Sequence, residues 1–124
     1  MVKFFRCPVC GKIIAMVEDR PVPTICCGKP MEQLVANPSD GGALEKHVPV
    51  YKVEGNVVKV KVGEVPHPAV ENHYIMWILV QTNKGNQRKQ LAWNDAPEAD
   101  FAILPDEKVE AVYAYCNLHG LYKA

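Results

Sequence analysis

A period-two alternation of apolar and polar positions governs the chain from residue 48 onward. "VPVYKV" and "VVKVKV" flank Gly55 and Asn56, a dipeptide that turns a hairpin, and lysines alternate with valines in the second segment. "HYIMWILVQT" is apolar almost throughout and predicts a more fully buried strand, followed by a turn at "KGN". "QRKQLAW", "ADFAIL" and "KVEAVYAYC" predict three more strands. No segment sustains a 3.6-residue period. Strands recurring at short intervals with turn signals between them predict an antiparallel β-sandwich of immunoglobulin-like type over residues 47–124.

The pattern is different before that. Residues 1–36 show only short β-like pieces at 2–6 and 13–17, with turn signals at Pro21, Pro23 and Gly28, and the segment is too small to carry its own core. Residues 37–46, "NPSDGGALEK", are rich in Pro, Asp, Ser and Gly and predict a linker. The expected architecture is therefore mainly β: a small N-terminal unit, a linker and a sandwich. No internal repeat or low-complexity tract interrupts it.

Composition narrows the function. The 124 residues hold 14 Lys plus Arg against 14 Asp plus Glu, so net charge gives no reason to expect nucleic acid or an anionic membrane as partner, and any electrostatic steering must be local. The most apolar stretch, "IMWILV", is too short to span a bilayer, and "MVKFFRCPVCG" reaches Cys7 before any apolar run long enough for a signal peptide. A cytoplasmic location is the expectation. In a reducing compartment five cysteines predict metal binding or redox chemistry rather than disulfides.

Four cysteines cluster as "CPVCG" and "CCG": Cys7, Cys10, Cys26 and Cys27. A C-x2-C turn followed by glycine lets two thiolates converge on one ion while backbone amides point at the sulfurs. The second pair is unusual, because its ligands are adjacent where an ordinary zinc ribbon has a second C-x2-C knuckle. The spacing predicts a four-sulfur site and leaves zinc, as a structural staple, and a rubredoxin-like iron equally open.

The fifth cysteine, Cys116, stands apart in "CNLHG", three residues before His119. The chain has four histidines, His47, His67, His73 and His119, each at a predicted strand edge or loop, and Pro66 and Pro68 restrict the backbone around His67. Taken singly, each reads first as a surface or packing histidine, and Cys116 alone as an inert core thiol. As a set they read differently. Four imidazoles and a thiolate meeting at one ion would form a five-coordinate centre with one open position, a ligand set that suits iron. A thiolate opposite the open position would donate electron density to whatever binds there, so a small oxidant is the better candidate substrate.

These motifs together resemble the desulfoferrodoxin family, the two-iron superoxide reductases, over essentially the whole chain. "CPVCG" and "CCGKPM" resemble the family's desulforedoxin-like first centre, and "EKHVPV", "VGEVPHP", "HYIMWI" and "CNLHG" the segments of its catalytic second centre. The resemblance implies iron held by Cys7, Cys10, Cys26 and Cys27 in a domain of residues 1–36, with an accessory or electron-transfer role. It implies a second iron in the sandwich with His47, His67, His73 and His119 equatorial and Cys116 axial. It also implies reduction of superoxide to hydrogen peroxide without release of dioxygen, a rubredoxin or similar small electron donor, and a homodimer. Zinc can displace iron at either site in recombinant protein.

Glu45 and Lys46 precede the first histidine. Without context an adjacent acid and base in a Gly-rich loop form a solvated surface pair. In the resembled family the lysine attracts the anion and orients water for protonation, and the glutamate can close over the ferric ion. Gly41, Gly42 and Leu44 depart from the stretch relatives carry there. Two rival classes follow from the same residues: an electron carrier working through the four-cysteine iron alone, and a zinc-stapled sandwich that binds partners and catalyses nothing.

Overall fold

Hydrophobic area decides which segments become strands. The computed structural model describes residues 2–39 and 43–124; Gly41 and Gly42 lie outside the described residues. The chain divides into two compact units, Met1–Val35 and Ala36–Ala124.

In the first unit, β1 (Phe4–Arg6), β2 (Ile13–Ala15) and β5 (Glu32–Gln33) form an antiparallel sheet in the order β2-β1-β5, while β3 (Ile25–Cys26) and β4 (Lys29–Pro30) form a separate hairpin. The strands at 2–6 and 13–17 are shorter than the sequence predicts. Among the described residues, only Phe4, Cys7 and Met31 are buried and apolar here, and Val17 is fully exposed, so little holds a longer strand against a core.

The second unit is a seven-stranded sandwich. One sheet has the order β10 (Glu98–Ala102), β7 (Val57–Val62), β6 (Pro49–Glu54), and the other β12 (Gly120–Lys123), β11 (Val109–Cys116), β8 (Ile75–Thr82), β9 (Gly85–Gln90). All paired strands are antiparallel. Alternation does what it predicts in β7, where Val58, Val60 and Val62 turn inward and Lys59 and Lys61 outward. They and Phe101 cluster with Ile78 and Val80 of β8 and with Val112, Ala114 and Cys116 of β11. Cys116 is thus the last of an inward row spaced by two.

Three features differ from the sequence reading. A single helical turn, α1 (Leu44–His47), occupies the end of the expected linker, and four residues are too few for a 3.6-residue pattern to register. β12 follows His119 after a tight turn, with Leu121 and Tyr122 both buried. β9 ends at Gln90, short of Trp93, because the backbone turns at residues 92–95, where the Asp95 carboxylate accepts from the Ala92 amide at 2.7 Å.

Candidate metal centres

The first cluster is built by two turns. Cys7 and Cys10 sit on a knuckle closed by a Gly11 N–H to Cys7 carbonyl bond of 3.1 Å, and the amides of Val9 and Cys10 each point at Cys7 Sγ from 3.4 Å. Those amides, Cys10's foremost, hold the Cys7 thiol down at about 6. The adjacent pair is explained by the β3–β4 hairpin. Its two turn residues, Cys27 and Gly28, have φ of +52° and +73°, the signature of a type I′ turn. That left-handed conformation swings the Cys27 sulfur back to 3.9 Å from Cys26 Sγ, which lies 3.7 Å from Cys10 Sγ. Four sulfurs about 2.3 Å from a common ion would sit roughly 3.8 Å apart. The cradle therefore fits a tetrahedral ion. The thiol of Cys26 is pushed up to about 12, first by its hydrogen bond with Cys7, so an ion must displace its proton. All five cysteines are free.

The second cluster gathers side chains from the helical turn α1, three loops and a strand end. Ligand atoms of His47, His67, His73 and Cys116 lie within 4.8 Å of one another, as do those of the four cysteines of the first cluster. His119 joins them: its Nδ1 lies 3.1 Å from His47 Nε2 and 3.8 Å from Cys116 Sγ. The imidazoles form a closed square. Ring centroids are 4.6 Å apart for His47–His67, 4.7 Å for His67–His73, 5.1 Å for His73–His119 and 4.9 Å for His119–His47. The diagonal from His47 to His73 is 6.2 Å. Neighbouring rings stand at 76° to 87°, while His47 and His73, across the square, are tilted by only 30°.

Two of the rings are aimed from behind. His47 Nδ1 lies 2.7 Å from the Ala43 carbonyl at the start of α1, and His67 Nδ1 lies 2.8 Å from the Pro68 carbonyl, which leaves Nε2 of each as the ligating nitrogen. Nε2 of His67 and of His73 is buried without a hydrogen-bond partner among the described residues. A buried polar atom left in that state is costly, and an ion at the centre of the square satisfies both. Nitrogens about 2.1 Å from one ion at right angles would be roughly 3.0 Å apart, close to the His47–His119 separation.

The thiol enters from the core. Cys116 is fully buried, and a register shift between Tyr115 and Cys116, opposite Trp77 and Ile75, marks a bulge that re-aims the end of β11. Burial pushes its thiol up, against the amides of Leu118 and His119 that pull it down. Burial likewise lowers His67 to about 4 and lowers His47 and His73, with the Lys46 charge adding to the effect on the last two. Lys46 is therefore electrostatically close to two sides of the square. It is exposed, as is Glu45, which lines a shallow groove with Leu44, Val48, Val50 and Glu64.

Three positioning residues escaped the sequence reading. Asn117 staples the His73 loop to the Cys116 turn: its Oδ1 accepts from the Tyr74 amide at 2.9 Å, and its Nδ2 donates to the Asn72 carbonyl at 3.1 Å. Gly63, with φ of +86°, lets the His67 loop approach α1, where its amide donates to the Val48 carbonyl and Val65's to the Glu45 carbonyl. Tyr122 stacks on His47 with centroids 4.6 Å apart. Only Asn117, inside "CNLHG", carried a signal, since an Asn between two candidate ligands suits a turn.

Fold and clusters together define a β-sandwich protein with a mixed imidazole–thiolate metal centre and a separate small four-thiolate unit. Residues 1–34 match the desulfoferrodoxin N-terminal domain and residues 40–124 the desulfoferrodoxin domain, so the chain belongs to the desulfoferrodoxin family. It is 44% identical to the desulfoferrodoxin homolog of Archaeoglobus fulgidus, covering 100% of this chain and 97% of that protein. It is 42% identical to the desulfoferrodoxin of Nitratidesulfovibrio vulgaris, covering 98% and 94%. Among solved structures it resembles the superoxide reductase from Treponema pallidum, with a TM-score of 0.84, 36% identity and coverage of 100% and 97%.

Proposed function

We propose that this protein is a superoxide reductase: superoxide, one electron and two protons give hydrogen peroxide, and no dioxygen is released. The observation that carries this reading is the square of four imidazoles backed by a buried thiol. His47, His67, His73, His119 and Cys116 would together hold an iron. Ferrous iron bound there would supply the electron and an open position for a small anion.

The chain's own residues set the conditions. Burial keeps His67, His47 and His73 neutral at neutral pH, so their lone pairs stay available as ligands. Lys46 provides a positive charge beside the square, which draws an anion inward and orients water as proton donor. Glu45 shares the same turn and would be the carboxylate available to a bound ferric ion. Its place within α1, two residues before His47, supports that assignment.

Cys7, Cys10, Cys26 and Cys27 would hold the second iron, an accessory or electron-transfer centre in a domain of residues 1–36, with residues 47–124 as the catalytic domain. Each turnover consumes one electron, so a small one-electron carrier of rubredoxin type is the donor, and the exposed Cys10 and Cys27 offer it a contact edge. Free thiols throughout favour a reducing, cytoplasmic location. Half-exposed Val50, Tyr51 and Val53 on the edge strand β6 support a homodimer.

The test is to react iron-loaded, reduced protein with superoxide while following peroxide and dioxygen. Peroxide without dioxygen, together with a low-energy sulfur-to-iron band in the oxidised protein, is the expected result. Dioxygen evolved alongside peroxide, or a colourless zinc protein as isolated from its native host, would overturn the reading.

A further inference from the structure

We propose that Tyr122 is a positioning residue for the imidazole–thiolate centre: its ring is the plate that fixes the plane of His47. The proposal rests on the reading that the imidazole square holds a metal, and it concerns a side chain that touches neither the ion nor the substrate.

His47 is fixed at Nδ1 by the Ala43 carbonyl at 2.7 Å, but one hydrogen bond leaves an imidazole free to rock about that bond. Tyr122 removes this freedom. Its ring lies against the face of His47 with centroids 4.6 Å apart and planes 28° from parallel, an offset stack. Tyr122 is itself immobilised: it is fully buried, and β12 pairs it with Ala114 in the inward row that ends at Cys116. A small residue at 114 leaves the ring its room. The stack thereby couples His47, carried by α1, to the hairpin that supplies Cys116 and His119.

The consequence is specific. Without a flat face behind it, His47 Nε2 would no longer be held in the plane of the square, 3.1 Å from His119 Nδ1. Supports that orient a ligand commonly alter metal affinity about 10- to 100-fold when removed. The four-thiolate unit contains no part of this network and serves as an internal control.

Full-length, iron-loaded protein would be compared as wild type, Tyr122→Phe, Tyr122→Leu and Tyr122→Met. Two readouts are needed: the sulfur-to-iron charge-transfer band of the oxidised second centre, and the rate at which a chelator strips its iron. Leu and Met should broaden and shift the band and speed iron loss about tenfold or more, while Phe stays within about twofold of wild type. The spectrum of the four-thiolate centre should not change in any variant.

Wild-type behaviour of the Leu or Met variant would overturn the proposal, as would a Phe variant as impaired as Leu, which would implicate the hydroxyl. Equal loss at both centres would also overturn it, because that is general unfolding. If Leu yields no folded protein, Met, which fills volume without a flat face, decides alone. Neither readout uses superoxide. Failure of the proposed activity with an intact band leaves the positioning role standing, whereas absence of any sulfur-to-iron band removes both.

Discussion

Gly63→Ala should damage the catalytic unit out of proportion to one methyl group. Gly63 has φ of +86°, and a Cβ built there would lie 2.5 Å from the Val65 carbonyl oxygen and 2.7 Å from both carbonyl atoms of Lys46. The backbone conformation alone costs a residue with a side chain about 1–2 kcal/mol. Ordinary contact begins near 3.5 Å, so the Lys46 carbonyl must retreat by roughly 0.8 Å. That movement breaks or stretches the bonds from Gly63 N–H to Val48 and from Val65 N–H to Glu45, now 3.0 and 3.1 Å, at about 0.5–1.5 kcal/mol each. The expected destabilisation is about 2–5 kcal/mol, a fall of about 8–40 °C in melting temperature for a unit of this size. His47 follows Lys46 directly, so a shift of this size should also slow superoxide reduction, on the order of a hundredfold. Calorimetry of the iron-loaded protein and stopped-flow kinetics supply the two numbers. A variant that melts within about 2 °C of wild type and keeps its rate would refute the claim that this close approach positions the turn carrying Lys46 and His47.

Cys116→Ser should abolish rapid superoxide reduction and the sulfur-to-iron band while leaving the four-thiolate spectrum intact; full retained activity would remove the thiol from the mechanism. Lys46→Ala should slow superoxide capture on the order of threefold to tenfold at low salt and flatten its ionic-strength dependence, and an unchanged low-salt rate would count against steering. In metal-free protein, His67 is held near 4 by burial, below an unfolded value of about 6.5. Between those values the unfolded chain binds the proton and the folded one does not, so stability falls as pH drops from about 6.5 to 4, by about 3 kcal/mol from this residue. Urea midpoints of wild type and His67→Gln across that range test it: the wild type should show the steeper loss, and parallel curves would refute the assignment.

What the sequence revealed follows from how little freedom each feature had. A C-x2-C knuckle and a pair of cysteines have few alternatives in a short segment whose described residues include three buried apolar ones, so the first cluster was legible from spacing. The histidines were legible as a set, because turn and strand signals put every one in an expected loop or strand edge, although His47 ends a helical turn. Alternation in "VVKVKV" gave β7 to the residue. Contacts between segments remote in sequence were not legible. No local pattern announces that Tyr122 lies against His47, or that residue 63 must lack a Cβ because Lys46 passes beside it. The adjacent cysteines posed the converse problem: their spacing was visible, but the positive φ of Cys27 that makes it workable arises only once β3 and β4 pair. Likewise α1 is a single turn whose helical form depends on the loop that clamps it.

The order of ligands along the chain sets a timetable for synthesis. All four sulfurs of the first cluster precede Gly28, whereas the square needs residues on both sides of β6 to β11 and closes only when His119 has been made. At roughly 5–20 residues per second, several seconds separate the two events on the ribosome. A nascent chain can thus capture its first ion before the second receptacle exists, and a ribosome that stalls in between releases a product that is coloured yet inert toward its substrate.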